Sequence, residues 1–356
     1  MTAFNQALPD GQLPAIERHS PEFSGRAGEY FGIWFVNLLL SIVTLGIYSA
    51  WAKVRTERYF YGHTRLAGAS FEYLASPIAI LKGRLIAYAF VIALALAARF
   101  SIGLYAAMFV LLFALMPAII VWSLRFRARN SAWRGVNFRF DATAGEAYGP
   151  FMGWPILMVL TMYLLFPVMT VRQQEFVAGH HRFGKQAFRF EALIGAYYIP
   201  FLVVLGCGIV GVFGFVGLAV GAAFASGGAQ AAQPPMWIFA MTAVLYLGFF
   251  ALGIFLRVRY ANLFWKNTQL GEHQFESTLR ARDMMWIYFS NLVAIVCTIG
   301  LAVPWAMVRL ARYRSEHFTL VAHGSLDGFV AEAGGNTGAT GAELVDALDV
   351  GLDFGI

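Results

Sequence analysis

Long apolar runs recur along this chain and constrain its fold more than any other feature. Runs of about 20 residues, enough helix to cross a hydrocarbon layer of roughly 30 Å, recur from Tyr30 to the region of Ala306. In lipid, every backbone N–H and C=O needs an internal partner. The alternating pattern of a membrane barrel strand is absent, so these runs predict membrane-spanning helices.

The composition excludes an ordinary water-soluble domain. Of the residues, 59% are hydrophobic and only 13% are charged, whereas soluble domains carry about 25% charged residues. The net charge of +6 would fit a nucleic-acid partner, but the basic residues lie beside the apolar runs rather than on a soluble face. We therefore expect no nucleic-acid partner, and membrane lipids with anionic headgroups as the counterpart of the basic residues. The sequence indicates no particular protein partner.

The pattern predicts an all-α fold, a polytopic transmembrane helical bundle with internal repeats and about seven spans. The spans lie at about 30–50, 84–102, 104–123, 151–171, 192–224, 236–256 and 285–306. The fifth is over-long and rich in glycine, so an eighth span is an alternative. Residues 1–29 are predicted to be a disordered polar segment, residues 30–323 the membrane domain, and residues 324–356 a flexible acidic tail.

Lysine and arginine in short loops mark the cytoplasmic side of a membrane. Seven crossings place the basic segments after the first, third and last spans inside and the N-terminus outside. The same crossings place the basic loops around Arg182 and Lys266 outside, against this rule. Two explanations stay open: the spans at 151–171 and 285–306 are partly re-entrant, or the outer basic loops fold back against the protein.

A span followed by a basic loop occurs three times, which indicates one membrane domain built by duplication. The segment NLLLSIVTLGIYSAWAKVRTERYF, starting at Asn37, matches NLVAIVCTIGLAVPWAMVRLARYR, starting at Asn291. A middle copy keeps the same spacing in Thr161, Arg172 and His180. A second type of loop repeats once, since four residues recur in step: Arg125, Arg127, Asn130 and Trp133 as Arg257, Arg259, Asn262 and Trp265.

Polar groups without partners are costly inside a membrane, and six polar residues of the predicted spans are candidates for a role there. They are Asn37, Asn291, Arg99, Thr44, Thr161 and Thr298. The asparagines either hold helices together or line a solute pathway. The threonines are expected to bond their own helix backbone, and Arg99 is expected to extend to the outer interface.

Aromatic and basic residues cluster at the ends of the first and last repeats. Indole and phenol rings settle at headgroup depth beside cations, which predicts these lipid-headgroup anchors: Trp51, Arg55, Arg58, Tyr59, Trp305, Arg309, Arg312 and Tyr313. Specific recognition of an anionic lipid or phosphate by the same residues is the alternative.

No signature of catalysis or metal binding is present. The chain has no phosphate-cradling GxxxxGK[ST], no HExxH helix and no GxSxG turn. His63, His180 and His317 occupy matching repeat positions, but odd crossings would put His180 on the opposite side of the membrane. We therefore predict no catalytic residue, no metal, no cofactor and no enzymatic activity.

Residues 23–73, FSGRAGEYFGIWFVNLLLSIVTLGIYSAWAKVRTERYFYGHTRLAGASFEY, resemble the YjgN-like family of bacterial inner-membrane proteins, a domain of unknown function. The similarity extends over roughly residues 23–323 and leaves the acidic tail outside. The resemblance implies a multi-pass helical protein of the bacterial inner (cytoplasmic) membrane. It brings no catalytic residue, substrate or cofactor with it.

Two functions fit these features. A transporter or channel-like protein for a small solute or lipid would use the duplicated spans and the paired asparagines. A structural or regulatory membrane protein would instead bind anionic lipids or partner membrane proteins through its basic aromatic loops. An enzyme fits least, because the loops lack a clustered acid, base and nucleophile.

Overall fold

The computed structural model describes residues 16–225 and 236–334. The described chain begins with two short strands, β1 (Ile16–His19) and β2 (Glu22–Phe23). Five units follow, in each of which helices run out from one β-sheet and back to it. The prediction of an all-α bundle is therefore wrong, because the segments interpreted as basic loops contain strands.

The bounds of the units follow the chain. Unit 1 contains α1 (Ala27–Val43), α2 (Ser49–Gly62), β3 (Thr64–Leu66) and β4 (Ala69–Tyr73). Unit 2 contains α3 (Pro77–Phe100), α4 (Ile102–Arg129), β5 (Ser131–Trp133) and β6 (Val136–Phe140). Unit 3 contains α5 (Ala144–Tyr148), a π-helical turn (Gly149–Gly153), α6 (Trp154–Leu160), α7 (Phe166–Gly179), β7 (His181–Phe183) and β8 (Gln186–Phe190). Unit 4 contains α8 (Ile194–Ala225), α9 (Met236–Lys266), β9 (Thr268–Leu270) and β10 (His273–Ser277). Unit 5 contains α10 (Ala281–Cys297), α11 (Val303–Glu316) and β11 (Phe318–His323), and α12 (Leu326–Gly334) follows it.

The strands form one antiparallel sheet in the order β1-β11-β10-β9-β8-β7-β6-β5-β4-β3-β2. The two end strands of that order, β1 and β2, follow one another in the chain. Ile16 of β1 pairs with His323 of β11, and Glu22 of β2 pairs with Arg65 of β3. The chain itself therefore closes the sheet into a barrel, and the N-terminal strands supply the missing half of the fifth hairpin.

One backbone hydrogen bond recurs in all five units and shows that they are equivalent. The residue after one strand donates its N–H to the carbonyl of the residue that ends the next pair of helices, at 2.9–3.1 Å. The pairs are Ser24 and His63, Leu74 and Asn130, Asp141 and His180, Glu191 and Asn267, and Thr278 and His317. The threefold repeat in the sequence thus belongs to units 1, 3 and 5 of a fivefold structure.

Apolar side chains fill the barrel. The first strand of each hairpin buries one residue inside it: Leu66, Trp133, Phe183, Leu270 and Leu320. Phenylalanines of the second strands pack against them: Phe71, Phe138, Phe188 and Phe275. Helix α12 covers the end of the barrel where the hairpins turn, and its Phe329 stacks on Phe183 with ring centroids 6.0 Å apart. The barrel interior is therefore a packed core.

Parts of the two terminal segments that the sequence predicts to be disordered or flexible are folded. Residues 16–29 of the N-terminal segment supply β1, β2 and the start of α1, and residues 326–334 of the acidic tail form α12. The N–H of Lys185 donates to the carbonyl of Ala333 at 3.1 Å, which fixes α12 to a hairpin turn. The predictions for residues 1–15 and 335–356 lie outside the described residues.

Four helices of the described chain, α3, α4, α8 and α9, are long and apolar enough to cross a membrane. Helices α3 and α4 have 24 and 28 residues, so they are about 36 and 42 Å long. These four helices correspond to the predicted spans at 84–102, 104–123, 192–224 and 236–256.

The other three predicted spans are wrong as crossings, because each is a short helical hairpin. In units 1 and 5, a helix of 17 residues turns into a helix of 14 residues, which are about 25 and 21 Å long. Residues 144–160 and α7 repeat this arrangement in unit 3. The structure thus favours re-entrant hairpins, one of the two explanations for the misplaced basic loops, and extends it to unit 1.

The turns of these hairpins consist of apolar residues with left-handed backbone. Leu45 and Gly46 have φ of +51° and +91°, and Ile299 and Gly300 repeat these values. The side chains of Leu45 and Ile299 are 95% and 94% exposed. A hydropathy pattern cannot distinguish such a turn from a continuing helix, because leucine and isoleucine are apolar in either.

Candidate functional site

A buried valine followed by an arginine or a tryptophan stands at the same place in all five units. Nine residues before the end of each helix pair, the valine is only 1–4% exposed: Val54, Val121, Val171, Val258 and Val308. The residues that follow are Arg55, Trp122, Arg172, Arg259 and Arg309. We call these five residues the interfacial ring.

The interfacial ring lies at one height between the barrel and the apolar ends of the helices. Along α4, 20 residues separate Ile102 from Trp122, a rise of about 30 Å and a full hydrocarbon layer. In the short hairpins, ten residues separate the turn from the ring: Leu45 from Arg55, Met162 from Arg172, and Ile299 from Arg309. Because only the residues from Ser49, Phe166 and Val303 onward are α-helical, this rise is about 9 Å plus the height of the turn. Measured from the ring, the short hairpins therefore reach no further than about half a bilayer, whereas the long helices match a whole one.

Arg309 is the ring member that is most engaged within the protein. Its Nη1 donates to Ser290 Oγ at 2.6 Å and to Asn291 Oδ1 at 3.1 Å. Its guanidinium also lies 5.1 Å from the ring centroid of Trp305. Arg309 therefore joins the two helices of unit 5.

The other arginines of the ring are more open. Arg172 pairs with Glu175 at 2.8 Å, and the guanidinium of Arg259 lies 5.4 Å from the ring centroid of Phe255. Arg55 is exposed and forms no hydrogen bond or ion pair among the described residues. These three cations are therefore accessible to a ligand.

Two of the predicted lipid anchors, Tyr59 and Tyr313, clamp the start of a unit to its end. The Tyr59 hydroxyl accepts the N–H of Arg26 at 2.8 Å and donates to the carbonyl of the same residue at 3.0 Å. The Tyr313 hydroxyl makes the same two bonds with Arg280, at 3.1 and 3.4 Å. The hydroxyls therefore satisfy backbone groups where the first helix begins.

Two further predicted anchors bond the barrel. Arg58 Nε donates to the carbonyl of Tyr73 at 3.4 Å, and Arg312 Nη2 donates to the carbonyl of Gly25 at 3.3 Å. Trp51 is partly buried against unit 1. These side chains hold the helices on the barrel, whereas Arg55 and Arg309 belong to the interfacial ring.

The two asparagines hold the short hairpins together. Asn37 Nδ2 donates to the carbonyl of Ala52 at 3.3 Å, and Asn291 Nδ2 donates to the carbonyl of Ala306 at 3.4 Å. Both asparagines are buried. They differ in the other amide atom, because Asn291 Oδ1 accepts from Arg309 whereas the buried Asn37 Oδ1 has no hydrogen-bond partner within the described part of the chain.

This difference predicts unequal costs for the two Asn→Leu substitutions. Asn291→Leu removes the hydrogen bonds to Ala306 and Arg309, so it should cost about 2–3 kcal/mol. Asn37→Leu also removes an unpaired buried oxygen and should cost less than about 1 kcal/mol. Thermal unfolding of both variants in the same detergent measures the two losses of stability. Equal losses would contradict the difference in hydrogen bonding between Asn37 and Asn291.

The threonines shape the hairpin turns, and Arg99 lies far from the barrel. Each threonine hydroxyl donates to the carbonyl four residues back, at 2.7–2.9 Å: Thr44 to Leu40, Thr161 to Leu157, and Thr298 to Ala294.

Arg99 is exposed in the last turn of α3, at the end opposite the barrel.

The three histidines stand on one side, so the expectation that His180 is separated from the others is wrong. They share the residue position that ends each helix pair with Asn130 and Asn267. Each of these five side chains bonds the carbonyl four residues back, at 2.7–2.9 Å. Within the described residues, no group of three or more His, Cys, Asp or Glu could hold a metal ion.

The interfacial ring was missed because two kinds of repeat were compared separately. The sequence comparison placed Asn262 opposite Asn130, but Asn267 holds that position in unit 4, five residues further on. The signal that reveals all five units is a valine, an arginine or tryptophan, seven residues of any type, and a histidine or asparagine.

Known proteins resemble this chain over part of its length. Inner membrane protein YjgN of Salmonella typhimurium is 32% identical over 145 residues, which are 40% of this chain and 37% of that protein. Inner membrane protein YjgN of Escherichia coli K12 is 30% identical over 148 residues, 41% of this chain and 37% of that protein. The match thus spans little more than a third of these relatives. No solved structure matches the chain.

A family model covers most of the sequence. The model described as bacterial protein of unknown function (DUF898) matches residues 18–347. Helices of crossing length and relatives named as inner membrane proteins identify a membrane protein. The chain belongs to the YjgN-like family of bacterial proteins of unknown function, DUF898.

Proposed function

We propose that the protein is a membrane scaffold that binds the anionic headgroups of phospholipids through its interfacial ring. The observation that carries the proposal is the recurrence of the ring position in all five units, with an arginine in units 1, 3, 4 and 5 and a tryptophan in unit 2. Arginine suits this task because its planar guanidinium donates two parallel hydrogen bonds to a phosphate. Tryptophan prefers the same headgroup depth.

The dimensions of the helices support a headgroup level at the ring. Beyond it, α4 extends far enough to cross the hydrocarbon layer, whereas the hairpin of unit 1 reaches about halfway. The short hairpins of units 1, 3 and 5 would therefore displace lipids of the leaflet on the barrel side and would not enter the other leaflet. The positive-inside rule places this side in the cytoplasm of a bacterial inner membrane.

The polar groups inside the protein favour this function over transport of a small solute. Phe183 and its neighbours fill the barrel. Asn37 and Asn291 bond the opposite helix of their own hairpins, and Thr44 bonds its own helix. A solute pathway through these groups would have to break the bonds that shape the fold. The proposal involves no catalytic step.

The test compares two triple variants with the same loss of charge. Arg55→Gln, Arg172→Gln and Arg259→Gln together remove the open cations of the ring. The control removes three exposed arginines from the outer face of the barrel: Arg65, Arg139 and Arg189. Phospholipid that stays bound through purification is counted by native mass spectrometry.

We expect the ring variant to retain several-fold less anionic phospholipid than the wild type and the barrel variant to retain as much. Charge-assisted bonds to phosphate are made only where the arginines meet headgroups. Unchanged lipid in the ring variant would reject the proposal. An equal loss in both variants would also reject it, because net charge alone would then explain the binding.

A further inference from the structure

A cavity of about 310 Å³ lies between units 1 and 2, at the level of the interfacial ring. Its polar wall is made by two helices: α2 contributes Lys53 and Glu57, one turn apart, and α4 contributes Ser123 and Arg127, also one turn apart. Ile80 and Phe126 form an apolar wall on the side of the long helices α3 and α4. The cavity is therefore amphipathic and opens where a crossing helix pair meets a short hairpin.

Three charged side chains line this cavity. Among the described residues, the side chains of Lys53, Glu57 and Arg127 form no hydrogen bond and no ion pair. Lys53 and Arg127 are exposed and Glu57 is partly buried, so all three charges are open to a ligand. Two cations and one carboxylate suit a ligand that offers both an anionic and a cationic group.

The depths of these charges along the helices fit an extended headgroup. Counted back from the ends of α2 and α4, Arg127 lies nearest the barrel, Glu57 about one turn deeper, and Lys53 deepest. From Arg127 to Lys53 the rise is about 10 Å. The flexible stems of lysine and arginine let both cations reach one phosphate from opposite ends.

Phenol groups add neutral donors at the barrel end of the cavity. Tyr61 and Tyr73 line it, with ring centroids 5.4 Å apart, and the Tyr61 hydroxyl lies 3.2 Å from Ser131 Oγ. Burial, the Glu57 carboxylate and Tyr61 raise the pKa of Tyr73 to about 12. Tyr73 therefore stays protonated at neutral pH and can donate a hydrogen bond to a phosphate oxygen.

We infer that this cavity binds the headgroup of one amine-bearing phospholipid, with its phosphate at Lys53 and Arg127 and its ammonium group at Glu57. The apolar side chains of Ile80 and Phe126 then pack against the methylene groups of the headgroup, and the acyl chains leave past Lys53 along α3 and α4 into the membrane. The inference goes beyond the proposed binding of anionic headgroups, because the cavity lies outside the interfacial ring and its lipid carries both charges.

The equivalent positions in the other short hairpins explain why the site occurs in unit 1. In unit 3, Thr170 donates to its own helix at Phe166, and Gln174 Oε1 accepts from the Tyr197 hydroxyl at 2.5 Å. In unit 5 the positions hold Met307 and Ala311, which carry no charge. The stoichiometry expected is therefore one such lipid per chain.

The experiment titrates the purified full chain in detergent with phosphatidylethanolamine, phosphatidylglycerol or free phosphoethanolamine, and native mass spectrometry counts the bound molecules. The wild type should hold one phosphatidylethanolamine about tenfold more tightly than one phosphatidylglycerol. Glu57→Gln should bring the two affinities to within about twofold. Lys53→Gln with Arg127→Gln should weaken both lipids.

Matched controls take the same charge changes to the outer face of the barrel, with Glu72→Gln for the carboxylate and Lys185→Gln with Arg189→Gln for the cations. They should keep the wild-type preference. A wild type without preference, or a Glu57→Gln variant that keeps it, would overturn the inference. Free phosphoethanolamine that binds as tightly as the lipid would also overturn it, since the site would then serve a soluble phosphate ester.

The two proposals fail separately in these measurements. The preference between two lipids depends on Glu57, whereas total anionic lipid depends on Arg55, Arg172 and Arg259. If the ring variant keeps its lipid while Glu57→Gln loses the preference, only the ring is rejected. If the ring variant loses its lipid while the preference does not depend on Glu57, only the cavity is rejected.

Discussion

Single cysteines in the four β-hairpins are expected to be shielded together from a membrane-impermeant maleimide added to intact cells. The positions are Arg65, Asn137, Lys185 and Glu272, all exposed on the barrel. Hydrogen-bonded strands of one closed sheet cannot lie on two sides of a membrane. A cysteine at Ser101, in the turn between α3 and α4 at the far end of the helices, should be labelled.

The outcome is close to all-or-none, because a bilayer stops the reagent. The background replaces Cys207 and Cys297, the two cysteines of the chain. Labelling after cell lysis shows that each cysteine can react. If Lys185→Cys were labelled in intact cells while Asn137→Cys were protected, β6 and β7 could not pair as the structure has them, and the barrel would be refuted.

The long membrane helices could be predicted from the sequence because their signal is local. Each of α3, α4, α8 and α9 is a single apolar stretch whose hydropathy alone identifies it. The short hairpins have equally apolar sequences, and only Gly46 or Gly300 marks the reversal. A glycine in an apolar run is common in membrane helices, so the turn could not be predicted from it.

The strands could not be predicted from hydropathy for a different reason. Strands of three to five residues, such as β5 and β6, are too short for a periodic pattern to stand out. They are also rich in arginine on their outer faces, as at Arg139 and Arg189, which made them resemble basic membrane loops. Their stability comes from closure of the barrel, which brings together residues as distant as Ile16 and His323.

The candidate sites also differ in whether the local sequence reveals them. Asn37, Asn291 and the threonines stand out in sequence as polar residues in apolar runs, and the structure places them in turns and hairpin contacts. The cavity charges did not stand out, because Lys53 and Arg127 lie in different units. Only the packing of α2 beside α3 and α4 brings them together.

Phe183→Ala is expected to be the most destabilising single substitution in the barrel, with a loss of about 3–5 kcal/mol. Phe183 is 1% exposed, and its ring lies 5.8 Å from Trp133, 5.1 Å from Phe138 and 6.0 Å from Phe329, measured between centroids. Strands bonded on both sides cannot move in to fill the space. The cavity therefore persists, and α12 loses the ring on which its phenylalanine stacks.

The matched control is Phe213→Ala, which removes the same side chain from a position on α8 that is 72% exposed and faces lipid. Lipid tails replace the lost contacts there, so the cost should be small. Thermal unfolding of both variants in one detergent should show a loss of roughly 10 °C for Phe183→Ala and almost none for the control. Equal shifts would mean that the barrel interior contributes no more to stability than a lipid-facing helix surface. The aromatic core could then not be what holds the five units together in the barrel.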